Sequence, residues 1–286
     1  LVIAGMVAAA LLSGLLTLWI GDSRQAALDR AQDNVRNVAS AVAQGVHSDF
    51  ARVDLALQSL VAAYARGPGR GFEPDGPISN ELANLRAVLT EADALLISDA
   101  QGRVRLGQPA DMPPVQVGDR DFFVAARDTA ATAAPVLSQP WLGRVSRKWV
   151  ISVARALRNP DGSFAGVVHA NLSSERFSRQ FAKVDLGQEG SIALRTDTLA
   201  LVARITPEGP VTDGLGSAEV SARLKGALAA NPSAGVYMVR RKADGAERAA
   251  AYQRVEGYPL YVIVGTGTDE YSSGLKLPQG ASAALP

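Results

Sequence analysis

Apolar and polar positions change their rhythm several times along this chain, and each rhythm predicts a different element. The first twenty residues, LVIAGMVAAALLSGLLTLWI, carry no charge. As a helix they would span about 30 Å, the thickness of a bilayer's hydrocarbon core. Trp19 stands where an interfacial aromatic belongs. A cleaved signal peptide has a shorter apolar core and a small-residue cleavage site, so residues 1–20 are expected to be a transmembrane helix. The chain begins without Met and is expected to be a fragment. Beyond Asp22, apolar residues fall at Leu28, Ala31, Val35, Val38, Val42, Val46, Phe50, Val53, Leu57, Leu60 and Tyr64. Steps of three and four residues mark one face of a helix, and no proline intervenes before Pro68. One helix from Asp22 to Arg66 is predicted, with residues 21–66 forming a signalling stalk. So long a helix suggests a stalk or a dimer seam. Its first half, through Val35, Val38, Val42 and Val46, is expected to be exposed or dimeric, and its second half packed.

Gly67 to Pro77 is punctuated by Gly and Pro and reads as a loop. A helix follows at Ile78–Thr90, then strands at Ala94–Asp99 and Arg103–Leu106. Asp119 is expected to cap a short helix from Arg120 to Ala126. Strands at Pro135–Gln139, Lys148–Arg158 and Phe164–Leu172 come next, the last two joined by the turn Asn159-Pro160-Asp161-Gly162. A short helix, Ser173–Phe181, starts at a capping Ser173 or Ser174. The remainder predicts strands at Gly190–Arg195, Leu199–Arg204, Gly235–Arg241, Glu247–Val255 and Leu260–Thr266, with a helix at Ala218–Ala230. Arg240-Arg241-Lys242 beside Asp244-Gly245 reads as a solvated hairpin tip. Residues 272–286 carry little pattern and are expected to be a flexible tail. Strands and helices in this order predict an α+β chain with antiparallel sheets in each half. They do not follow the strand–helix alternation of a doubly wound fold.

The composition narrows the chemistry. The chain has 286 residues, 47% hydrophobic and 20% charged, enough for two domains with packed cores. Its 29 basic and 28 acidic residues nearly cancel, so no nucleic-acid partner is expected. Cysteine is absent, which removes disulfides, thiolate metal sites and cysteine nucleophiles. With only His47 and His169, a multi-histidine metal site is excluded and a Ser-His-Asp triad has little to draw on. His47 and Asp49 are expected to be solvated. Gly67-Pro68-Gly69-Arg70-Gly71 lacks the preceding strand and following Lys-Ser/Thr of a phosphate loop. No enzyme activity, metal or cofactor is expected. The rival from that class, an anchored envelope hydrolase, would need an acid, base and nucleophile that the chain does not assemble.

The stretch from Asp119 to Asn171 carries the candidate site. It holds Asp119-Arg120-Asp121-Phe122-Phe123, then Trp141, then Lys148-Trp149-Val150-Ile151-Ser152, then the Asp161-Gly162 hairpin leading to Gly166-Val167-Val168-His169-Ala170-Asn171. Arg120 offers paired N–H donors to a carboxylate. Strand alternation puts Trp149, Ile151, Val153 and Arg155 on one face and Val150, Ser152 and Ala154 on the other. Ser152 is expected to touch a ligand, with Lys148 close behind. His169 and Asn171 share a face, and His169 would make binding pH-dependent if that face lines a pocket.

These pieces, with Leu186-Gly187-Gln188-Glu189-Gly190-Ser191 and Tyr258-Pro259-Leu260, resemble the bacterial double-Cache (PAS-like) sensor domains that precede diguanylate cyclases, histidine kinases and chemoreceptor signalling domains. The resemblance runs from about Asn34 to Tyr271. It implies a long N-terminal helix with two tandem PAS-like antiparallel modules, a membrane-distal one at 67–181 and a membrane-proximal one at 182–271. It implies a periplasmic small-molecule sensor held in a bacterial inner membrane by its N-terminal helix, and a homodimer whose output domain lies beyond this fragment. In the family's amino-acid-binding branch, an Arg takes the ligand carboxylate and a later Asp takes the ammonium. Arg120 occupies the Arg position, Phe122 stands where that branch has Trp, Trp141 where it has Tyr, and Asn171 where it has Asp. Asn carries no charge to pair an ammonium, so a small carboxylate or other small polar metabolite, such as another polar anion, rather than an ordinary α-amino acid is expected. Arg120, Phe122, Phe123, Trp141, Lys148, Ser152, His169 and Asn171 are the candidate ligand-binding residues. The alternative is a ligand-free dimerisation or structural module, whose pocket would be filled by its own aromatic side chains.

Overall fold

The computed structural model describes residues 2–67, 71–73, 75–109, 113, 115–129, 134–143, 146–185, 187, 190–240 and 247–267, with side chains from residue 26 onward (27, 240, 247 and 267 excepted). The chain opens with one helix, α1 (Val2–Arg66), followed by α2 (Pro77–Val88), β1 (Ala94–Asp99), β2 (Val104–Leu106), α3 (Asp121–Asp128), β3 (Val136–Leu137), β4 (Trp141–Leu142), β5 (Trp149–Arg158), β6 (Phe164–Ser173) and α4 (Ser174–Phe181). Then come β7 (Ser191–Thr196), β8 (Leu201–Thr206), β9 (Gly209–Pro210), α5 (Ala222–Ala230), β10 (Ala234–Arg240), β11 (Glu247–Arg254) and β12 (Leu260–Gly267). The α+β expectation holds, with a long helix and antiparallel sheets. The candidate anchor at 1–20 has helical backbone from Val2 onward, but its side chains lie outside the described residues, as do the hairpin tip after Arg240 and the segment 272–286. Among the described residues no helix is long and apolar enough to cross a membrane.

Two six-stranded sheets lie along α1. The first has the order β2-β1-β6-β5-β3 with β4 also paired to β5; the second runs β10-β11-β12-β7-β8-β9. Each sheet turns an apolar face to the helix. In β5 and β6 the alternation assigns faces as the sequence predicts: Ile151, Val153, Leu157, Val168, Ala170 and Leu172 join the core with α1, while Ala154 and Val167 pack with Phe122 and Phe123 on the other side. The close β1–β6 pairing needs Gly166, at φ 150°, because a side chain there would run into the Ser98 carbonyl. Arg155 reaches the helix as well. Its guanidinium grips Asp54 through Nε–Oδ1 at 2.5 Å and Nη2–Oδ2 at 2.9 Å.

The first half of α1 departs from expectation. Ala31, Val35, Ala39, Val42 and Val46 are buried in the same core as Ala249, Ala251, Val262 and Val264 of the second sheet. The stripe read as a free or dimeric seam is covered by the chain's own β11 and β12. The predicted periodicity is right, but its partner is intramolecular. Asp49 is likewise buried rather than solvated. It pairs with Arg52 at 2.5 Å and lies 4.0 Å from Arg176, and burial pushes its carboxyl pKa up. His47 Nδ1 meets the Glu256 carbonyl at 2.9 Å.

Two contacts join the sheets away from the helix. Thr196 and Thr198 hydroxyls both donate to Gln139 Oε1, at 3.1 and 2.7 Å. Trp149 packs on Gly216, where φ is 79° and any Cβ would meet the indole.

Candidate functional site

A cavity of about 410 Å³ opens on the face of the first sheet opposite α1. Its floor follows from strand register. On β6, Asn171 lies between Ala94 of β1 and Ser152 of β5, and His169 lies between Leu96 and Ala154. The row through Asn171 therefore has a polar neighbour and the row through His169 has none. Trp141 supplies a wall from the edge strand β4, and Arg120 supplies the other side from the turn before α3.

Arg120 is the N-cap residue of α3, in extended conformation, so the helix begins one residue later than predicted and Asp119 is not its cap. Its carbonyl accepts the Phe123 and Val124 amides. Asp121 holds the surroundings in place: Oδ1 accepts the Phe122 amide and Oδ2 accepts the Gln139 amide, each at 2.7 Å. The latter bond ties α3 to the strand segment that carries Trp141. The Arg120 guanidinium carbon lies 4.0 Å from the centre of the Trp141 ring. Stacking of this kind fixes the plane of the guanidinium fork.

A hydrogen-bonded chain runs behind that wall. Trp141 Nε1 donates to Ser152 Oγ at 3.1 Å, and Ser152 Oγ donates to Asn171 Oδ1 at 2.8 Å. Indole N–H is a donor only, so Ser152 must accept there and spends its single proton on Asn171. The Asn171 amide oxygen is thereby engaged, and its NH₂ group is the part left to face the cavity. Ser152 itself is buried and sits one layer behind the lining.

His169 is fully buried and lines the cavity. Its ring lies 4.9 Å from that of Phe122, and neither nitrogen has a hydrogen-bond partner among the described residues. Burial pulls its pKa down to about 3. It is a neutral imidazole at physiological pH, holding one donor and one acceptor in reserve.

The structure thus brings Arg120, Trp141, His169 and Asn171 to one cavity, with Ser152 and Phe122 directly behind. It leaves out two predicted residues. Phe123 packs edge-on against Phe164 in the small core under α3. Lys148 points away, its Nζ 2.8 Å from Glu175 Oε2 on the exposed start of α4, and that bond pushes its pKa up. Two charged lining residues were not predicted. Arg86 stands in the last turn of α2, where nothing in the helical spacing distinguishes it. Asp93 sits just before β1, and both its oxygens already accept from Ser173, from the amide at 2.7 Å and the hydroxyl at 2.9 Å. Asp–X₇₉–Ser is a long-range pair that no local pattern signals.

The matching face of the second sheet is filled. Tyr252, Tyr261 and Leu224 form its core with Tyr237 against them. The Tyr252 hydroxyl reaches the Ala227 and Asn231 carbonyls, each at 2.7 Å, and the Tyr261 hydroxyl donates to Pro232 O at 2.8 Å.

Residues 23–275 match the profile of the Cache domain family. Among solved structures, the extracellular domain of the protein described as the histidine kinase rpHK1S-Z16 is 28% identical, with a TM-score of 0.71, over 87% of this chain and 99% of that one. The ligand-binding domain of the Pseudomonas fluorescens chemoreceptor CtaA in complex with L-isoleucine is 17% identical, with a TM-score of 0.65, over 88% and 98%. That of the Campylobacter jejuni chemoreceptor Tlp3 with L-valine is 16% identical, with a TM-score of 0.61, over 87% and 98%. No curated protein matches the sequence.

Proposed function

For a chain that belongs to the Cache domain family, we propose a sensory role in which the cavity of the first sheet binds a small carboxylate. Arg120, braced on Trp141, takes the carboxylate through its N–H edges. The Asn171 NH₂ group and the neutral His169 supply further hydrogen bonds.

The observation that carries this reading is the Trp141–Ser152–Asn171 chain. It presents a donor, not a carboxylate, where a zwitterionic ligand would need an acceptor for its ammonium. CtaA and Tlp3 are described in complex with L-isoleucine and L-valine. This chain is read as selecting a carboxylate without the α-ammonium. A ligand-free structural module accounts poorly for a fully buried His169 whose two nitrogens both lack partners, since each unpaired buried group costs about 1–3 kcal/mol.

In the receptor we envisage, residues 67–181 form the membrane-distal module and 182–271 the membrane-proximal one. The uncharged residues 1–20 anchor the protein in the inner membrane, with the sensory part in the periplasm, and two copies associate along the exposed side of α1. A thermal-shift screen of small metabolites tests the reading, because a ligand that prefers the native state raises the melting temperature. Stabilisation by carboxylates that disappears in Arg120→Ala is expected. A panel in which only uncharged or cationic compounds stabilise the protein would overturn it.

A further inference from the structure

One wall of the cavity is tied to α1 through a buried cluster that is only half closed. Helix α4 packs on α1 through the stacked rings of Phe50 and Phe177, 6.0 Å apart. That contact brings Arg176 and Gln180, one turn apart on α4, against Asp49 and Arg52, one turn apart on α1. Arg52 bridges Asp49 Oδ1 at 2.5 Å and Glu91 Oε1 at 2.6 Å. Arg176 Nη1 donates to the Thr90 carbonyl at 2.6 Å, while its Nη2 stops 4.0 Å from Asp49 Oδ2. Asp49 Oδ2, Arg176 Nε and Gln180 Oε1 are buried, and none of the three has a hydrogen-bond partner among the described residues. Thr90 and Glu91 belong to segment 89–93, of which Leu89, Ala92 and Asp93 line the cavity. The two arginines therefore hold that wall from behind, one from α1 and one from α4.

Another pair in the same chain shows what such an edge makes when it closes. Arg155 grips Asp54 side-on through Nε and Nη2. In Arg176 the first of these nitrogens is unpartnered and the second stands off from its carboxylate. A guanidinium is a rigid plane, so turning its Nε–Nη2 edge onto Asp49 draws Nη1 away from Thr90. We infer that Arg176 is a two-position switch that holds either the cavity wall at Thr90 or α1 at Asp49, with the proton on Asp49 selecting the position. A neutral Asp49 leaves Arg176 on Thr90 and the wall fixed. An ionised Asp49 attracts the guanidinium and leaves the wall to its ties through Glu91 and Asp93. The groups that face Asp49 are Arg176 and Gln180 on α4, Arg52 on its own helix and Glu91 before β1. Burial pushes the Asp49 carboxyl up against the pull of both arginines, so it takes a proton at a higher pH than an ordinary Asp. Burial would raise Glu91 as well, but its hydrogen bonds and the charges of Arg52 and Arg176 bring it below its usual value. Glu91 thus keeps its charge and its grip while Asp49 titrates.

The switch acts on the wall whatever ligand the cavity takes, so its test needs no ligand, and its failure would leave the carboxylate reading untouched. Amide hydrogen exchange of the full chain is read by mass spectrometry from pH 7.5 to pH 4, with rates corrected for the intrinsic pH dependence of exchange. In the wild type, protection of residues 89–93 is expected to rise by roughly fivefold or more as pH falls, the scale of a modest coupling between two sites. Acid destabilisation through the buried His169 lowers protection over the same range and cannot imitate this rise. Asp49→Asn, which keeps the shape and cannot ionise, should show the higher protection already at pH 7.5. An Asp49 with a purely structural role predicts the reverse, a looser wall in that variant. Arg176→Gln should show no rise at any pH. Melting temperatures of both variants are measured alongside, and the wild-type profile stands by itself should either fail to fold. Wild-type protection that stays flat or falls with acid, or a rise that persists in Arg176→Gln, would overturn the switch.

Discussion

The Ser152 hydroxyl donates to Asn171 Oδ1 at 2.8 Å across the β5–β6 pair. This one bond decides what Asn171 can offer. With its oxygen engaged, the amide presents N–H donors to the cavity, and the site becomes donor-rich beside Arg120. Asn171→Asp changes a donor into an anion at the same place. The account expects this variant to lose affinity for carboxylates by about 1.5–3 kcal/mol, the worth of a hydrogen bond to a charged group, and to gain affinity for α-amino acids. Calorimetry on both ligand classes checks the direction of each change.

His169 makes the fold sensitive to acid. Burial holds its pKa at about 3, whereas the unfolded chain titrates at about 6.5. Below that value the unfolded state takes up a proton that the folded state refuses, so stability is full above about pH 6.5 and falls as pH drops towards 3. The loss by pH 5 is about 2 kcal/mol. Asp49 works in the opposite sense: its raised pKa lets the folded state hold a proton more tightly, which offsets acid loss nearer the carboxylate range. Melting temperatures between pH 7.5 and pH 5 should therefore fall more steeply for the wild type than for His169→Leu. Parallel curves would show that His169 is accessible to protons in the folded state.

Arg155 and Asp54 pin the first sheet to α1. Their side chains are 10% and 13% exposed, so both are largely desolvated, and Asp54 also accepts from Gln58 Nε2 at 2.9 Å. Removing one partner takes the counter-charge away from the other. Asp54→Ala is expected to cost about 3–5 kcal/mol in urea unfolding, and the double change Asp54→Leu with Arg155→Met should recover most of it.

Leu55 is 68% exposed on α1, on the side away from both sheets. The uncharged positions Ala41, Gln44, Ser48, Ala51, Leu55, Gln58 and Ala62 recur there at steps of three and four, the spacing of a helix-packing seam. If two copies associate along this side, Leu55→Arg shifts sedimentation towards the monomer without changing ligand affinity, whereas Val42→Asp, within the core, lowers stability instead. A wild type that stays monomeric at high concentration would place the seam elsewhere or remove it.

Much of the fold could be read from alternation. Ile151 to Leu157 and Val167 to Leu172 wrote their two faces into the sequence, because a strand buried on one side must repeat every second residue. The two-residue strands at Trp141 and Gly209 are too short to show any period and were missed. Long-range partners were equally hidden. A valine every three or four residues at Val35–Val46 says that a face is covered, but not whether β11 of the same chain or a second copy covers it. In the site, Arg120, Trp141 and Asn171 stood out by residue type. Lys148 was misplaced because its neighbour in space, Glu175, belongs to α4. The isolation of His169 follows from Leu96 and Ala154 beside it, a register that only pairing reveals. Arg86 reaches the cavity by the way α2 docks, which its own helix does not encode.

The most direct test compares an α-amino acid with the carboxylic acid that has the same carbon skeleton but no ammonium, by calorimetry on the wild type and on Arg120→Ala. The account predicts that the deaminated acid binds the wild type more tightly than the amino acid does, and that Arg120→Ala loses about 1.5–3 kcal/mol of that affinity. Tight binding of the amino acid, with affinity unchanged in Arg120→Ala, would contradict it.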